Sequence, residues 1–571
     1  MKLLGGVVFR EGTPPAGPQR CRDMAAAVPG AGVVTRLDSG PASLFAAGEG
    51  AALGSREGLV VAADVDALEP ATARGAAVSP RAEITDRVTL VTRLYERHGE
   101  ALAEHLTGSF AFALWDPWRR RLVVGVDRFG ARRLYYAETP EGLAFASRAS
   151  ALTGMTGGRR VDATAVYHYL NFGYVPAPHS IFAGVRRLPP GHAAVFELGA
   201  LRRRRYWDLS YPEERMDAGA AATRTWELVE GSVAACLHDA TTKDTGAFLS
   251  GGTDSSTVLG FMSRLTGEPV TALSIGFREA RYDELGYAEI AARHFGSRHV
   301  TSIMAADEAL ATVPALVEGL DEPFGNNSII PTYVCARLAR EHGLDRLLAG
   351  DGGDEIFGGN EHYRQDRIHD LYRRVPAWLR RGVIEPALSA LPDGRGSILG
   401  KAQRYADRAS QPAARRYTAY QFFAAQDPEA YLAPELAASV DPGASWQLVG
   451  EHLDAAPATS ELNRRLYLDI KTVIGDNDLL KVTRATELAG IDVRFPMLDH
   501  RLAEFTGTLP ADFKVRGLEK RYLFKQAFRP LLPAEIIAKP KHGFGMPMSD
   551  WLRSHPGFRA LSRDALGAAG A

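Results

Sequence analysis

Phe248-Leu-Ser-Gly-Gly-Thr-Asp-Ser-Ser-Thr257 is the stretch on which the reading of this chain turns. The residues leading into it, Thr245 to Leu249, are short and largely apolar, as at the end of a buried strand. Ser250, Gly251 and Gly252 then make a tight turn, where glycine allows backbone angles and a close approach that a Cβ would block. From Asp254 to Leu265 the residues Val258, Leu259, Phe261, Met262 and Leu265 recur at helical spacing. The predicted helix starts at the turn, so its free N–H groups and dipole face an anion. Ser250, Gly251, Gly252, Ser255 and Ser256 are therefore candidate pyrophosphate contacts. Asp254 cannot bind phosphate directly, because like charges repel; a bridging Mg2+ resolves the conflict. The alternative is a serine- and glycine-rich turn with Asp254 as its N-cap.

A second segment favours the nucleotide. Leu347-Leu-Ala-Gly-Asp-Gly-Gly-Asp-Glu-Ile-Phe-Gly-Gly359 is again an apolar strand running into a glycine-rich turn, here carrying Asp351, Asp354 and Glu355. Two such turns at the carboxyl ends of parallel strands face one crevice, where open α/β sheets bind ligands. Asp354 is the candidate second carboxylate for Mg2+, and Gly352 a further nucleotide-facing position. Alone, the second loop reads equally as a solvated acidic turn.

The rest of the chain sets bounds. Its 571 residues exceed one compact core, so two domains are expected. A formal net charge of −1 gives no electrostatic case for nucleic acid or an anionic membrane. Arg202 to Arg205 is a short basic run that a solvated strand edge explains as well. Cys21, Cys236 and Cys335 have no metal or disulfide spacing, which suits a reducing compartment. No segment approaches the length of a membrane span, and the apolar part of Met1 to Phe9 is too short for a signal peptide. A soluble, cytoplasmic protein is the expectation.

Residues 1 to about 205 read as mostly β, with strands over 58–63, 109–115, 121–126 and 143–147 and a helix over 86–98. Residues 171–192, rich in proline and glycine, read as an ordered loop joining the halves. From 215 onward helix and strand alternate, with helices over 223–238 and 287–295 and a strand over 269–276, which predicts a parallel sheet with right-handed crossovers. Beyond about 365 the chain reads as mainly helical.

Several blocks together resemble the asparagine synthetase family, class B-like. Ser250-Gly-Gly-Thr-Asp-Ser255 is similar to its pyrophosphate loop. Leu273-Ser-Ile-Gly-Phe277 resembles the strand on the adenine side of ATP, which implies Ser274, Ile275 and Gly276 as nucleotide contacts. Asp321-Glu-Pro-Phe324 and Gly350 to Gly359 match further blocks, the first implying a role for Asp321 and Glu322 in shaping the acceptor pocket. Val493-Arg-Phe-Pro-Met-Leu-Asp-His500 resembles a C-terminal helix-bundle signature. Lys541-His-Gly-Phe-Gly-Met-Pro547 resembles the lysine-bearing loop, which implies Lys541 as the α-phosphate contact, with Lys539 a less favoured neighbour. Gly108 to Asp116, Asp127-Arg-Phe-Gly130 and Leu134-Tyr-Tyr136 resemble the glutaminase domain. The resemblance implies an N-terminal Ntn-hydrolase-like β-rich sandwich over 1–205. It also implies an adenine-nucleotide α-hydrolase (PP-loop) domain over 215–560 with a helical C-terminal part, an α/β protein overall.

The departures bear on function. Glutamine-dependent members place a cysteine nucleophile at position 2, where this chain has Lys2. The family's Asn-Gly-Glu oxyanion segment falls near Val60 to Asp66, which holds no asparagine. The sandwich is thus expected to lack glutaminase activity, as in the branch resembling β-lactam synthetases and lasso-peptide cyclases. What the resemblance implies is adenylation of a carboxylate by ATP, with Mg2+ on Asp254 and Asp354, followed by amine attack. Asp351 stands where ammonia-using members carry Glu and β-lactam synthetases Tyr; Asp351 and Glu355, with Lys541, are the candidate catalytic groups. The expected substrate is a small molecule or peptide bearing a carboxylate and an amine, with pathway partner proteins and a homodimer compatible. An ammonia-dependent asparagine synthetase is the alternative, and a non-catalytic ATP sensor the alternative of another class.

Overall fold

Apolar runs with no polar interruption become strands covered on both faces. Leu3–Phe9, Ala42–Ala47 and Gly142–Ala146 are buried along their whole length. Alternation decides which neighbour each residue meets: Leu4 and Val8 point toward a second sheet, Leu3, Val7 and Phe9 toward a helix. The structure, a computed structural model, describes residues 2–12, 17–48, 50–68, 86–238, 241–389, 398–418, 423, 427–540 and 543–567.

Two six-stranded antiparallel sheets are drawn from residues 3–205. The first runs Arg186–Arg187, Tyr135–Thr139, Gly142–Ala146, Leu3–Phe9, Ala42–Ala47, Val34–Ser39. The second runs Ala200–Arg205, His192–Glu197, Arg121–Val126, Thr107–Asp116, Leu59–Leu68, Ala52–Arg56. Leu44, Ala113, Trp115 and Phe145 fill the space between them. Helix Gly17–Ala26 closes the outer face of the first sheet with Cys21 and Met24. Helix Arg87–His98, N-capped by Asp86, closes the other with Val91, Leu94 and Tyr95. The result is the four-layer Ntn-hydrolase-like sandwich. The basic run lies on its edge strand as expected, with Arg202 on Glu100, Arg204 on Glu104 and Arg205 on Asp208.

The second half is built on a five-stranded parallel sheet in the order Arg298–Met304, Thr271–Phe277, Thr245–Phe248, Arg346–Leu348, Asp492–Arg494. Helices Ala218–Leu237, Thr253–Thr266 and Tyr522–Phe528 cover one face through Val229, Phe261 and Phe528. Helices Ile329–Glu341 and Leu479–Leu488 cover the other through Val334 and Ala485. The chain starts at the middle strand, builds outward in one direction, then crosses to the other side. The crevice between Thr245–Phe248 and Arg346–Leu348 is therefore the switch point of the sheet.

One expectation is corrected here. The 493–500 block is not part of a helix bundle: Asp492–Arg494 is the edge strand of the parallel sheet, and the helix begins at His500. Pro496 explains the break, since it removes a backbone donor and disfavours helical angles at Phe495. Among the described residues no helix is long and apolar enough to cross a membrane.

Candidate active site

The turn after Thr245–Phe248 is shaped by steric necessity. Gly251 sits at φ +65°, and a Cβ there would lie 2.5 Å from the Ala288 nitrogen. The turn is stitched internally: Ser250 N donates to Ser255 Oγ at 3.2 Å, and Gly252 N to Ser250 Oγ at 3.3 Å. Helix Thr253–Thr266 starts at Gly252 with no side-chain cap, so its first amides remain available to a ligand. Asp254 is inside the first turn and is not the N-cap.

The second loop meets the first backbone to backbone. A Cβ on Gly350 would lie 2.8 Å from Ser255 N. Gly352 takes φ +99° and opens the short helix Gly353–Phe357, which carries Asp354 and Glu355. The structure thus brings Asp254 and Asp354 together, and Arg521 shows how closely. Its guanidinium donates to Asp254 and to Thr253 Oγ1, and Nη1 lies 3.4 Å from Asp354 Oδ1. Burial disfavours the charged guanidinium, but Asp254 and Asp354 outweigh it and hold its pKa above the usual value. A cation shared by these carboxylates is what the geometry accommodates.

The remaining residues divide. Asp351 is half-buried, 3.7 Å from Lys481, which also donates to Asp478 Oδ1 at 3.1 Å. Burial pushes the Asp351 carboxyl up; Lys481 pulls it back down. Glu355 accepts from Asn360 Nδ2 at 2.7 Å, just behind the loop. Ser274, Ile275 and Gly276 lie along strand Thr271–Phe277, but the Ser274 hydroxyl donates to Leu249 O at 2.5 Å and lies 2.8 Å from His299 Nε2. Ser274 in this arrangement ties the strand to the turn. Lys541 lies outside the described residues. Lys539 lies at the loop, its Nζ donating to Ser250 O at 3.3 Å and pairing with Glu284 at 3.1 Å.

Asp321 and Glu322, the acids expected at the acceptor pocket, are engaged by the sandwich in this structure. Asp321 accepts from the backbone of Ala149 and Ser150, and Glu322 from Tyr135 and from Ile181 N, so both carboxylates are used in docking the sandwich. Arg521, Lys481 and Asp478 were not found from sequence. None sits in a local motif, and Arg521 is 267 positions from Asp254.

At the start of the sandwich, Lys2 N donates to Glu487 Oε1 at 2.8 Å, and Lys2 Nζ lies 3.4 Å from Asp64 and 3.8 Å from Asp492. Arg132 adds to the same acids, 3.0 Å from Asp64 and 3.5 Å from Asp492. Arg494 pairs with both oxygens of Asp66. All three cysteines are free, and burial pushes each thiol up to about 12.

Comparison with known proteins agrees with this geometry. Residues 225–569 match the family model for asparagine synthase, and residues 83–207 that for a glutamine amidotransferase domain. A Mycobacterium tuberculosis protein provisionally named a glutamine-hydrolyzing asparagine synthetase is 31% identical over 480 residues, covering 81% of this chain and 70% of that protein. Asparagine synthetase (glutamine-hydrolyzing) 1 of Bacillus subtilis is 26% identical over 463 residues, covering 81% and 71%. The paired glycine-rich loops at the switch point and these matches lead to one conclusion: the chain belongs to the asparagine synthetase family of ATP-dependent carbon–nitrogen ligases.

Proposed function

We propose that this enzyme adenylates a substrate carboxylate and passes the acyl group to an amine without a glutaminase of its own. A carboxylate oxygen attacks the α-phosphorus of ATP and pyrophosphate leaves. The amine nitrogen then attacks the acyl carbon, AMP leaves, and the nitrogen gives up a proton. The observation that carries the reading is the pair of loops meeting at Gly350 and Ser255, with Asp254 and Asp354 converging on one cation position.

Mg2+ fits that position. Arg521 already holds a positive charge there, and Gly353 and Gly359 leave room that a Cβ would take, 2.1 Å from Asp254 Oδ1 and 1.8 Å from Asp354 Oδ1. Mg2+ draws most of its shell from phosphate and water, so two carboxylates suffice on the protein side. Asp254 and Asp354 would hold Mg2+, which would offset the charge of the triphosphate and polarise the α-phosphate. The amides of Gly251 to Ser256 hold the pyrophosphate. The resemblance implies Lys541 as the α-phosphate contact. Asp351 is the carboxylate for the amine, with Lys481 favouring its charged form.

The absence of glutaminase chemistry is supported by the sandwich itself. The place of the cysteine nucleophile is held by Lys2, tied into an ion cluster, and each of the three thiols is held protonated by burial. A substrate carrying its own amine, in a specialised biosynthetic pathway of peptide or small-molecule cyclisation, needs no ammonia supply. The relatives are named glutamine-hydrolyzing asparagine synthetases, which favours asparagine as the product; in a chain without its own glutaminase the second reading is the ammonia-dependent form of that synthesis.

The test is AMP and pyrophosphate release from Mg·ATP with aspartate plus ammonium, aspartate plus glutamine, and a panel of peptides and amino-acid derivatives bearing an amine. Turnover with a panel member alone supports the cyclase or ligase reading. Turnover with aspartate and ammonium selects the second. Glutamine-driven turnover overturns the loss of glutaminase.

A further inference from the structure

The metal-binding carboxylates proposed above are bridged by an arginine built in with some conformational cost. Arg521 is 5% exposed and adopts φ +58°, ψ 35°, a left-handed conformation that residues other than glycine rarely take. Several contacts hold it there. Its guanidinium lies 4.2 Å from the centre of the Phe524 ring, and its carbonyl accepts from Lys525 N at 2.9 Å. The two glycines of the acidic loop make the space: a Cβ on Gly359 would meet Arg521 Cδ at 3.0 Å, and one on Gly353 would meet Arg521 Nη2 at 3.0 Å. The glycines of the second loop thus serve an Asp254–Arg521–Asp354 cluster as well as a turn.

We propose that Arg521 is the resident counter-cation of the metal site, exchanged for Mg2+ when Mg·ATP enters and then turned to the phosphates. The proposal rests on the reading of Asp254 and Asp354 as Mg2+ ligands. Two carboxylates converging in a buried site repel unless a cation lies between them, and a guanidinium is the cation least costly to dehydrate. Mg2+ demands a compact octahedron of oxygens, so it competes with Arg521 for the Asp254 oxygen that the guanidinium now contacts. Displacement leaves the guanidinium beside Thr253, the first residue of the helix whose N-terminus faces the phosphates. A planar fork of N–H donors suits phosphate as well as carboxylate. In this scheme the ion arrives with its nucleotide, since the phosphates are what compensate Arg521 for the acids it releases.

The test reads metal binding, not turnover. Free Mn2+ is measured by electron paramagnetic resonance without nucleotide, alongside the thermal midpoint with and without Mn2+, for wild type, Arg521→Met and Arg521→Met/Asp254→Asn. Wild type should bind Mn2+ weakly. Arg521→Met should bind it at least about tenfold more tightly, which is about 1.4 kcal/mol, and should regain its thermal midpoint on Mn2+ alone. The double variant should lose that gain. A purely structural arginine predicts a lowered midpoint that Mn2+ leaves unchanged, and that result overturns the proposal, as does a gain that survives Asp254→Asn. If Arg521→Met does not fold, wild type decides: one Mn2+ bound tightly without nucleotide overturns the exchange, weak binding supports it. Because no substrate is used, failure here leaves the adenylation reading standing, and silence in the substrate panel leaves this result interpretable.

Discussion

Tyr135 Oη donates a 2.6 Å hydrogen bond to Glu322 Oε2 across the seam between the sandwich and the parallel-sheet half. The other oxygen of Glu322 accepts from Ile181 N at 2.8 Å. Burial raises the Glu322 carboxyl, while Arg187 and the Tyr135 hydroxyl draw it back down. The sandwich therefore contributes to the ligase half by packing. Tyr135→Phe strands a buried acceptor and should cost about 1–3 kcal/mol. A thermal midpoint equal to that of wild type would contradict this role.

Arg187 pairs with Asp476, both nearly inaccessible to solvent, and Arg133 Nη2 donates to the Gly475 carbonyl at 3.0 Å beside them. Removing one member of a buried pair leaves an uncompensated charge, a loss of about 3–5 kcal/mol. Arg187→Ala should lower the calorimetric midpoint and separate the melting of the two halves. A single unshifted transition would show that the seam contributes little.

Gly353→Ala and Gly359→Ala should raise KM for Mg·ATP at least about tenfold, because the new methyl group displaces Asp254 or Asp354. Gly286→Ala, whose Cβ meets nothing within 4 Å, is the matched control and should be silent. Equal kinetics for all three variants would refute the cradle.

Asp254→Asn and Asp354→Asn should each reduce pyrophosphate release by about two orders of magnitude or more, as expected when charge compensation of a transferring phosphoryl group is lost. Retained turnover in either would remove that residue from the metal site.

Lys514 is buried, donates to Asn463 Oδ1 at 2.6 Å and sits 4.8 Å from the centre of the Tyr211 ring. Burial pulls its pKa down to about 7, against the opposing pull of Glu213. The unfolded chain binds this proton throughout the interval between that value and the ordinary lysine value, while the folded chain does not. Stability should therefore rise with pH across the interval, and the penalty is fully present below it. Thermal midpoints at pH 7, 8 and 9 should climb in wild type and flatten in Lys514→Met. Parallel profiles would exclude Lys514 as the source.

What could be read in advance was local. Ser250 to Ser256 and Gly350 to Gly359 carry their geometry in glycine spacing and helical phase, so the switch-point crevice follows from them. The strand Asp492–Arg494 escaped because three residues hold no period, and its pairing with Arg346–Leu348 depends on residues far away in the chain. The contacts of Asp321 and Glu322 with the sandwich leave no trace in their own neighbourhood of the sequence. Arg521 and Lys481 are single cations with no pattern around them; their roles exist only once the fold has gathered the acids they meet.

The seam also has a history within each molecule. Arg148 is about 1% exposed and pairs with Glu487, which Arg148 and Arg484 hold down to about 2 despite burial. The two partners are 339 positions apart, so at ~5–20 residues per second the ribosome needs roughly 20–70 s to deliver the second after the first. During that time the newly made sandwich carries the bare cations Arg148 and Arg187 on a face meant to be covered. The nascent chain is then half of an interface waiting for its other half, and slow translation of the last third should make it a substrate for chaperones.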